Sequence, residues 1–219
     1  LLVVLLTALA CALSACGGGD GDDDGTPAAD GTTTPPATTA ATTESLASAC
    51  EEVDEAAADE GRRLPCPTDE LDPSKTYTAV MRTSEGTLEI ELDVARAPLT
   101  AASFAYLARR GFFDGLTFHR IVPGFVVQGG DPTGTGMGGP GYQVVEAPPE
   151  DLRYQRGVVA MAKTGQDPAG TSGSQFFIVT GDDAGLPPDY ALVGRVSKGM
   201  DVVERLDRLP NDPADNRPL

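Results

Sequence analysis

The chain has 219 residues, no tryptophan, a single histidine and a formal net charge of −17 at pH 7. Its length leaves room for one ordinary domain with extensions, and the lack of a basic patch excludes nucleic acid as a partner class. The acidity is uneven: residues 1–74 hold 15 acidic side chains against 2 basic ones and residues 75–219 hold 18 against 14, so the excess belongs to the leader.

Residues 1–15 are apolar apart from Thr7 and Ser14. The run is shorter than the roughly 20 residues a membrane-spanning helix needs and suits the core of an export signal. No initiator Met or positive flank precedes it, so a start clipped from a longer sequence is expected. The run ends in Leu13-Ser14-Ala15-Cys16, which resembles a bacterial lipobox and makes Cys16 the expected lipidation site. Several acyl chains on one cysteine anchor stably, where a single chain is marginal. Residues 16–44, rich in Gly, Asp, Thr, Pro and Ala, cannot build a core and read as a disordered tether. About 30 such residues span roughly 30 Å, enough to hold a domain off a membrane surface.

Ser48 and Glu51 have capping-box spacing, and the Ala/Glu-rich run to Glu60 before Gly61 predicts a short helix within a segment at 45–74. An isolated helix of that length is marginal in water. Cys50 and Cys66 remain once Cys11 leaves with the signal and Cys16 is acylated, and an even remainder in an exported chain suggests a disulfide. Such a cross-link contributes roughly 3 kcal/mol for a loop of about 15 residues. A metal site is the weaker alternative, because no histidine or further cysteine accompanies the pair, and no cofactor is expected.

The folded domain is expected over 75–219. Alternating runs at 77–82 and 87–92 around Thr83-Ser84-Glu85-Gly86 read as a hairpin. A helix follows at 98–110, with Leu99, Phe104, Leu107 and Ala108 on one face and Gly111 as its stop. Further strands are predicted at 116–121, 125–128, 157–163, 175–180 and 191–196, and a second helix at 200–209. This pattern suits a mainly β fold, a closed antiparallel barrel capped by two helices.

The stretch FHRIVPGFVVQGGD at 118–131 is the most informative. It sets the permanently charged fork of Arg120 between Phe118 and Phe125 with the amide of Gln128 eight residues on. Such a site can polarise a neutral peptide, but it offers no nucleophile and base pair. Three other patterns fail. Gly134-Thr135-Gly136-Met137-Gly138-Gly139 is followed by Pro140 where a nucleotide-binding helix should open. The P-loop-like run from Gly165 has Thr171 in place of the lysine, and Gly170–Ser174 lacks the last glycine of a nucleophile elbow. Alternation points His119 away from Arg120, as a hydrogen-bonded structural residue.

A second stretch at 157–180, GVVAMAKTGQDPAGTSGSQFFIVT, completes a resemblance. With the first block, in order and correctly separated, it resembles the cyclophilin family of peptidyl-prolyl isomerases over about 77–210. The resemblance implies the cyclophilin β-barrel, Arg120 as the catalytic donor, and Phe125, Val126, Phe177 and Leu186 as apolar walls for a proline ring. It also implies Gln128, Gln175, Tyr190 and the backbone at Ala162 and Lys163 as contacts for the flanking peptide. Val126 stands where many members have methionine, Lys163 where asparagine is common, Tyr190 where eukaryotic members often have histidine, and Gly185 where many have the tryptophan that meets cyclosporin. Members usually add a final strand after the second helix, so here either the chain is clipped or one sheet edge is open. The expected protein is a monomeric, lipid-anchored isomerase in the cell envelope that acts on proline-containing segments of exported proteins. A non-catalytic proline-peptide-binding or chaperone-like lipoprotein is the alternative, and a solute-binding lipoprotein is a more distant one.

Overall fold

The computed structural model describes residues 3–9, 45–53, 62–212 and 214–219, the first of these segments by its backbone alone. In chain order the elements are β1 (Val3–Leu9), α1 (Leu46–Ala49), β2 (Cys50–Glu52), β3 (Thr76–Thr83), β4 (Gly86–Leu92), α2 (Pro98–Arg109), β5 (Arg120–Val122) and β6 (Val126–Gly129). They continue with β7 (Tyr142–Val145), β8 (Val158–Met161), β9 (Thr171–Ser172), β10 (Phe176–Val179), β11 (Leu192–Lys198) and α3 (Met200–Asp207). Cys16 and the whole of the tether at 16–44 fall outside the described residues.

Eight strands form one sheet in the order β1-β3-β4-β11-β8-β10-β6-β5, and β2-β7-β9 form a second. Every strand pairing is antiparallel. The large sheet ends at β1 and β5, so among the described residues the expected closure of a barrel by strand pairing is not made. β1 pairs along the outer side of β3 in antiparallel register from Val3 opposite Arg82 to Leu9 opposite Thr76. Among the described residues no strand follows α3. Instead the C-terminal residues fold back on β5, with Asn216 accepting from the Ile121 N–H at 2.8 Å and the Asn211 amide donating to the Ile121 carbonyl at 2.7 Å.

The hairpin of β3 and β4 turns through Ser84 and Glu85, with the Thr83 hydroxyl donating to the Gly86 carbonyl at 2.9 Å. Helix α2 departs from the one-faced expectation, since every residue from Leu99 to Ala108 is buried. Five alanines and threonines in that span leave little to clash, and a helix apolar all round belongs inside. Pro98 opens it, where its missing N–H costs nothing. Ala97 has no capping oxygen, and Glu146 serves in its place, accepting from Leu99 N at 3.0 Å and Thr100 N at 2.7 Å. Those two donors would otherwise be orphaned at the helix start.

The predicted helix from Ser48 does not form as expected. Ser45 is the cap, its hydroxyl accepting from Ser48 N at 3.3 Å, and the helix ends at Ala49. Cys50 to Glu52 instead pair with Val144 to Tyr142 of β7. Tertiary pairing and a covalent link overrule local propensity here: Cys50 is joined to Cys66 with an S–S distance of 2.09 Å. The rest of the predicted helix lies outside the described residues. Leu46 and Leu71 enter the main core, so the 45–74 segment is packed into the domain.

Period-2 alternation puts the two faces of β6, β8 and β10 into different clusters. Val127, Val159, Met161, Phe176 and Ile178 pack with α2 in the main core, whereas Val126, Val158, Ala160, Phe177 and Val179 form a second, smaller one. The candidate site is built on that second face.

Candidate functional site

Strands β5 and β6 are joined by a turn over Val122-Pro123-Gly124-Phe125, closed by Phe125 N to the Val122 carbonyl at 3.0 Å. Gly124 has φ +71°, the value that a type II turn requires at the residue after proline. Asp207 of α3 fixes the turn, accepting from Gly124 N at 3.2 and 3.1 Å and from the Thr180 hydroxyl at 2.7 Å. The pairing that follows sets Arg120 opposite Gln128, and Gln128 opposite Phe177. The backbones approach closely at Gly130, where a β-carbon would come within 2.2 Å of the Ser174 carbonyl oxygen. Only glycine fits there, which accounts for one of the two glycines in the QGGD run.

These constraints gather Arg120, Phe125, Val126, Gln128, Ala162, Lys163, Phe177, Leu186 and Tyr190 around one cavity of about 190 Å³. Val126 and Phe177 are buried and form its floor, while Phe125, Leu186 and Tyr190 are half-buried walls. Tyr190 packs edge-on against Phe177, with ring centroids 5.4 Å apart, and against Tyr154 at 5.9 Å. The Arg120 Nη1 donates to Gln128 Oε1 at 3.3 Å, Gln128 Nε2 donates to Gln175 Oε1 at 3.1 Å, and Gln175 Nε2 donates to the Gly138 carbonyl at 3.0 Å. Gln175 is thus tied to the cavity through Gln128, and its carbonyl accepts from Ala162 N at 2.8 Å. Among the described residues no carboxylate pairs with Arg120. Its side chain lines the cavity.

Phe118, close to Arg120 in sequence, lies in the main core with its ring 6.2 Å from Phe176. One expectation around this stretch is corrected. His119 is buried, as its alternation suggests, but neither ring nitrogen finds a hydrogen-bond partner among the described residues. Burial therefore lowers its pKa from the ordinary 6.5, against the pull of the nearby Asp131 carboxylate.

Several contributors escaped the sequence reading. A second cavity of about 320 Å³ adjoins the first, shares Gln128, Ala162 and Lys163 with it, and is walled by the loop at 136–139 and by Thr171. Asp131 organises that loop: its carboxylate accepts from Thr133 N at 2.7 Å, from the Thr133 hydroxyl at 2.8 Å and from Gly136 N. Burial alone would raise the Asp131 pKa, but these donors outweigh it and hold the carboxyl below its usual range. The Lys163 side chain makes contacts that its place in the sequence does not reveal. Its buried ammonium reaches Asp189 Oδ2 at 2.7 Å and the Asp167 carbonyl at 3.1 Å, and lies 5.5 Å from the Tyr190 ring centroid. A glycine-rich run and a lone lysine carried no signal for these contacts, which depend on chain segments far apart. A larger cavity of about 610 Å³, near Arg96 and Arg195, is lined by none of the cavity residues above.

The family model for "Cyclophilin type peptidyl-prolyl cis-trans isomerase/CLD" matches residues 78–219. The chain is a cyclophilin. Curated relatives carry the activity in their names. Peptidyl-prolyl cis-trans isomerase-like 1 of Homo sapiens is 40% identical over 157 residues, covering 70% of this chain and 90% of the relative. Peptidyl-prolyl cis-trans isomerase B of Bacillus subtilis is 44% identical over 120 residues, covering 54% and 82%. Among solved structures, a Cryptosporidium parvum cyclophilin crystallised in the presence of the dipeptide Ala-Pro matches with a TM-score of 0.60 at 32% identity, over 65% of this chain and 91% of that one. This cyclophilin is accordingly a peptidyl-prolyl cis/trans isomerase with the mainly β fold of its family, and the cavity described here lies within the matched region.

Proposed function

We propose that this cyclophilin accelerates prolyl isomerisation by directing the Arg120 guanidinium at the prolyl nitrogen of a peptide whose ring sits on Val126 and Phe177. The single observation that supports this most is an arginine that lines an apolar-walled cavity, without a carboxylate partner among the described residues, and donates to a glutamine across a strand pair. Amide resonance makes the barrier about 18–20 kcal/mol. Donation to the nitrogen lone pair localises it and weakens the partial double bond, and each 1.36 kcal/mol or so removed is worth tenfold. Arginine suits the task because it stays protonated and its fork is rigid. The walls complete the site by favouring the twisted amide over either planar form. Arg120→Lys keeps the charge and loses the fork, so kcat should fall at least tenfold with little change in KM; an unchanged kcat would refute the geometry.

The setting proposed for this activity is the outside of a bacterial membrane. Support comes from the apolar residues 1–15, the lipobox-like Leu13–Cys16 and the tether that follows. The disulfide at Cys50–Cys66 is consistent with an oxidising compartment. Removal of residues 1–15 would take β1 with it and leave β3 as a sheet edge. Intact mass of the membrane-extracted protein tests the anchor, which predicts a lipid-modified N-terminal Cys16 lost in Cys16→Ser; an unmodified soluble product from both would contradict it. The clients in this reading are exported chains that present proline in flexible segments.

A further inference from the structure

The disulfide-linked segment at 45–75 precedes the residues matched to the family, yet it is joined by hydrogen bonds to the side of the site. Val53 N donates to the Gly141 carbonyl at 3.1 Å and Leu64 N to the Pro140 carbonyl at 2.8 Å, both within the loop that the Cys50–Cys66 bond closes. Arg62 ties the same segment to the turn after α2, donating to the carbonyls of Phe112 at 2.5 Å and Asp114 at 3.0 Å. Two residues before Pro140 stands Gly138, whose carbonyl ends the amide chain from Arg120.

The polarity of that chain is decided at its far end. A backbone carbonyl can only accept, so Gln175 must turn its NH₂ toward Gly138 and its oxygen toward Gln128. Gln128 must then offer its NH₂ to Gln175 and its own oxygen to Arg120, as found. Were the Gly138 carbonyl to move away, both amides would be free to flip, and Gln128 could present donors to a guanidinium that has only donors.

We propose that the Cys50–Cys66 segment is a positioning device for catalysis, which holds the 138–141 backbone so that Gln175 and Gln128 keep Arg120 aimed into the cavity. It touches no substrate and acts only through the amide chain. The inference rests on the reading of Arg120 as the catalytic donor.

The test is a double-mutant cycle on the full chain, following isomerisation of an Ala-Pro-Phe peptide. Cys50→Ser/Cys66→Ser, with near-UV circular dichroism confirming a folded domain, should lower kcat roughly tenfold, or about 1.4 kcal/mol, with little change in KM. Gln175→Leu should cost a similar factor, and adding the serine pair to it should cost nothing more, because the path is already cut. An unchanged kcat in the serine pair, or losses that multiply in the combined variant, would overturn the proposal. If the serine variant does not fold, Arg62→Met loosens the same segment with the disulfide intact, and the same cycle is read from it. Arg120→Ala separates the two claims: activity retained there defeats the reading of Arg120, whereas activity lost there but kept in the serine pair defeats the positioning role alone.

Discussion

Tyr154→Phe deletes one oxygen atom and, with it, the support of a cavity wall. The Tyr154 hydroxyl donates to the Tyr190 carbonyl at 2.6 Å and accepts from the Tyr190 N–H at 2.9 Å. Burial pushes the phenol up to about 12, so it remains protonated and able to donate across the working pH range. The aromatic contacts survive the substitution, since the ring stays 6.2 Å from Phe177 and 5.9 Å from Tyr190. What is lost is a partner for both backbone groups of Tyr190. At about 1 kcal/mol net for each hydrogen bond, the variant should be less stable by about 2 kcal/mol. For a chain of this size that is a fall in Tm of roughly 4–8 °C. Urea unfolding should show a lower midpoint at unchanged slope, because no surface is newly exposed in either state. With the Tyr190 wall less fixed, KM for a short prolyl peptide should rise roughly threefold or more while kcat stays close to native. An unfolding midpoint and a KM both equal to those of the native protein would refute the assignment of Tyr154 as the support of that wall.

Other perturbations address different parts of the structure. Burial depresses the His119 pKa below 6.5, so the folded state stays neutral where the unfolded chain takes up a proton. Stability from this residue is therefore full above about pH 6.5 and declines as pH falls toward the folded-state value, by at most about 1.4 kcal/mol per pH unit. His119→Phe should remove that slope below pH 6.5, and identical pH profiles of urea stability would count against it. Lys163→Met leaves Asp189 without its partner; because that carboxylate is 37% exposed, the cost should be only about 1 kcal/mol. The same variant frees one side of Tyr190, so a KM identical to native would speak against the lysine as a clamp. Gly185 is exposed with open space where a side chain would stand. Cyclosporin should bind weakly, and a submicromolar dissociation constant by calorimetry would contradict this.

How far the sequence carried the structure depended on whether a signal was local. The hairpin at Thr83–Gly86, helix α2 and helix α3 follow from alternation, Pro98 and amphipathic spacing, all of which act over a few residues. Alternation also places Gln175 and Phe177 on one face, whereas the meeting of Arg120 with Gln128 depends on the β5–β6 register and was implied by the family resemblance alone. Strands β7 and β9 were missed because they are short and lie among glycines, where pairing with β2 and with each other supplies the order that propensity does not. Residues 50–52 read as helix and form a strand, because a disulfide to Cys66 and the β7 edge outweigh a four-residue capping pattern. The hydrogen-bonded role expected of His119 fails for a different reason: parity predicts that a side chain turns inward but not what awaits it there. The roles of Asp131, the Gly138 carbonyl and Asp189 arise only when distant segments meet.

The most direct test of the account is the rate of cis/trans exchange in an Ala-Pro-Phe peptide, followed by NMR, with the native chain and with Arg120→Ala. The account predicts fast exchange with the native protein and a loss of at least tenfold in kcat/KM with the variant, whose Tm should be nearly unchanged because Arg120 holds no ion pair among the described residues. Native-level exchange in a folded Arg120→Ala protein would contradict it and move the source of catalysis from the guanidinium to the shape of the cavity alone.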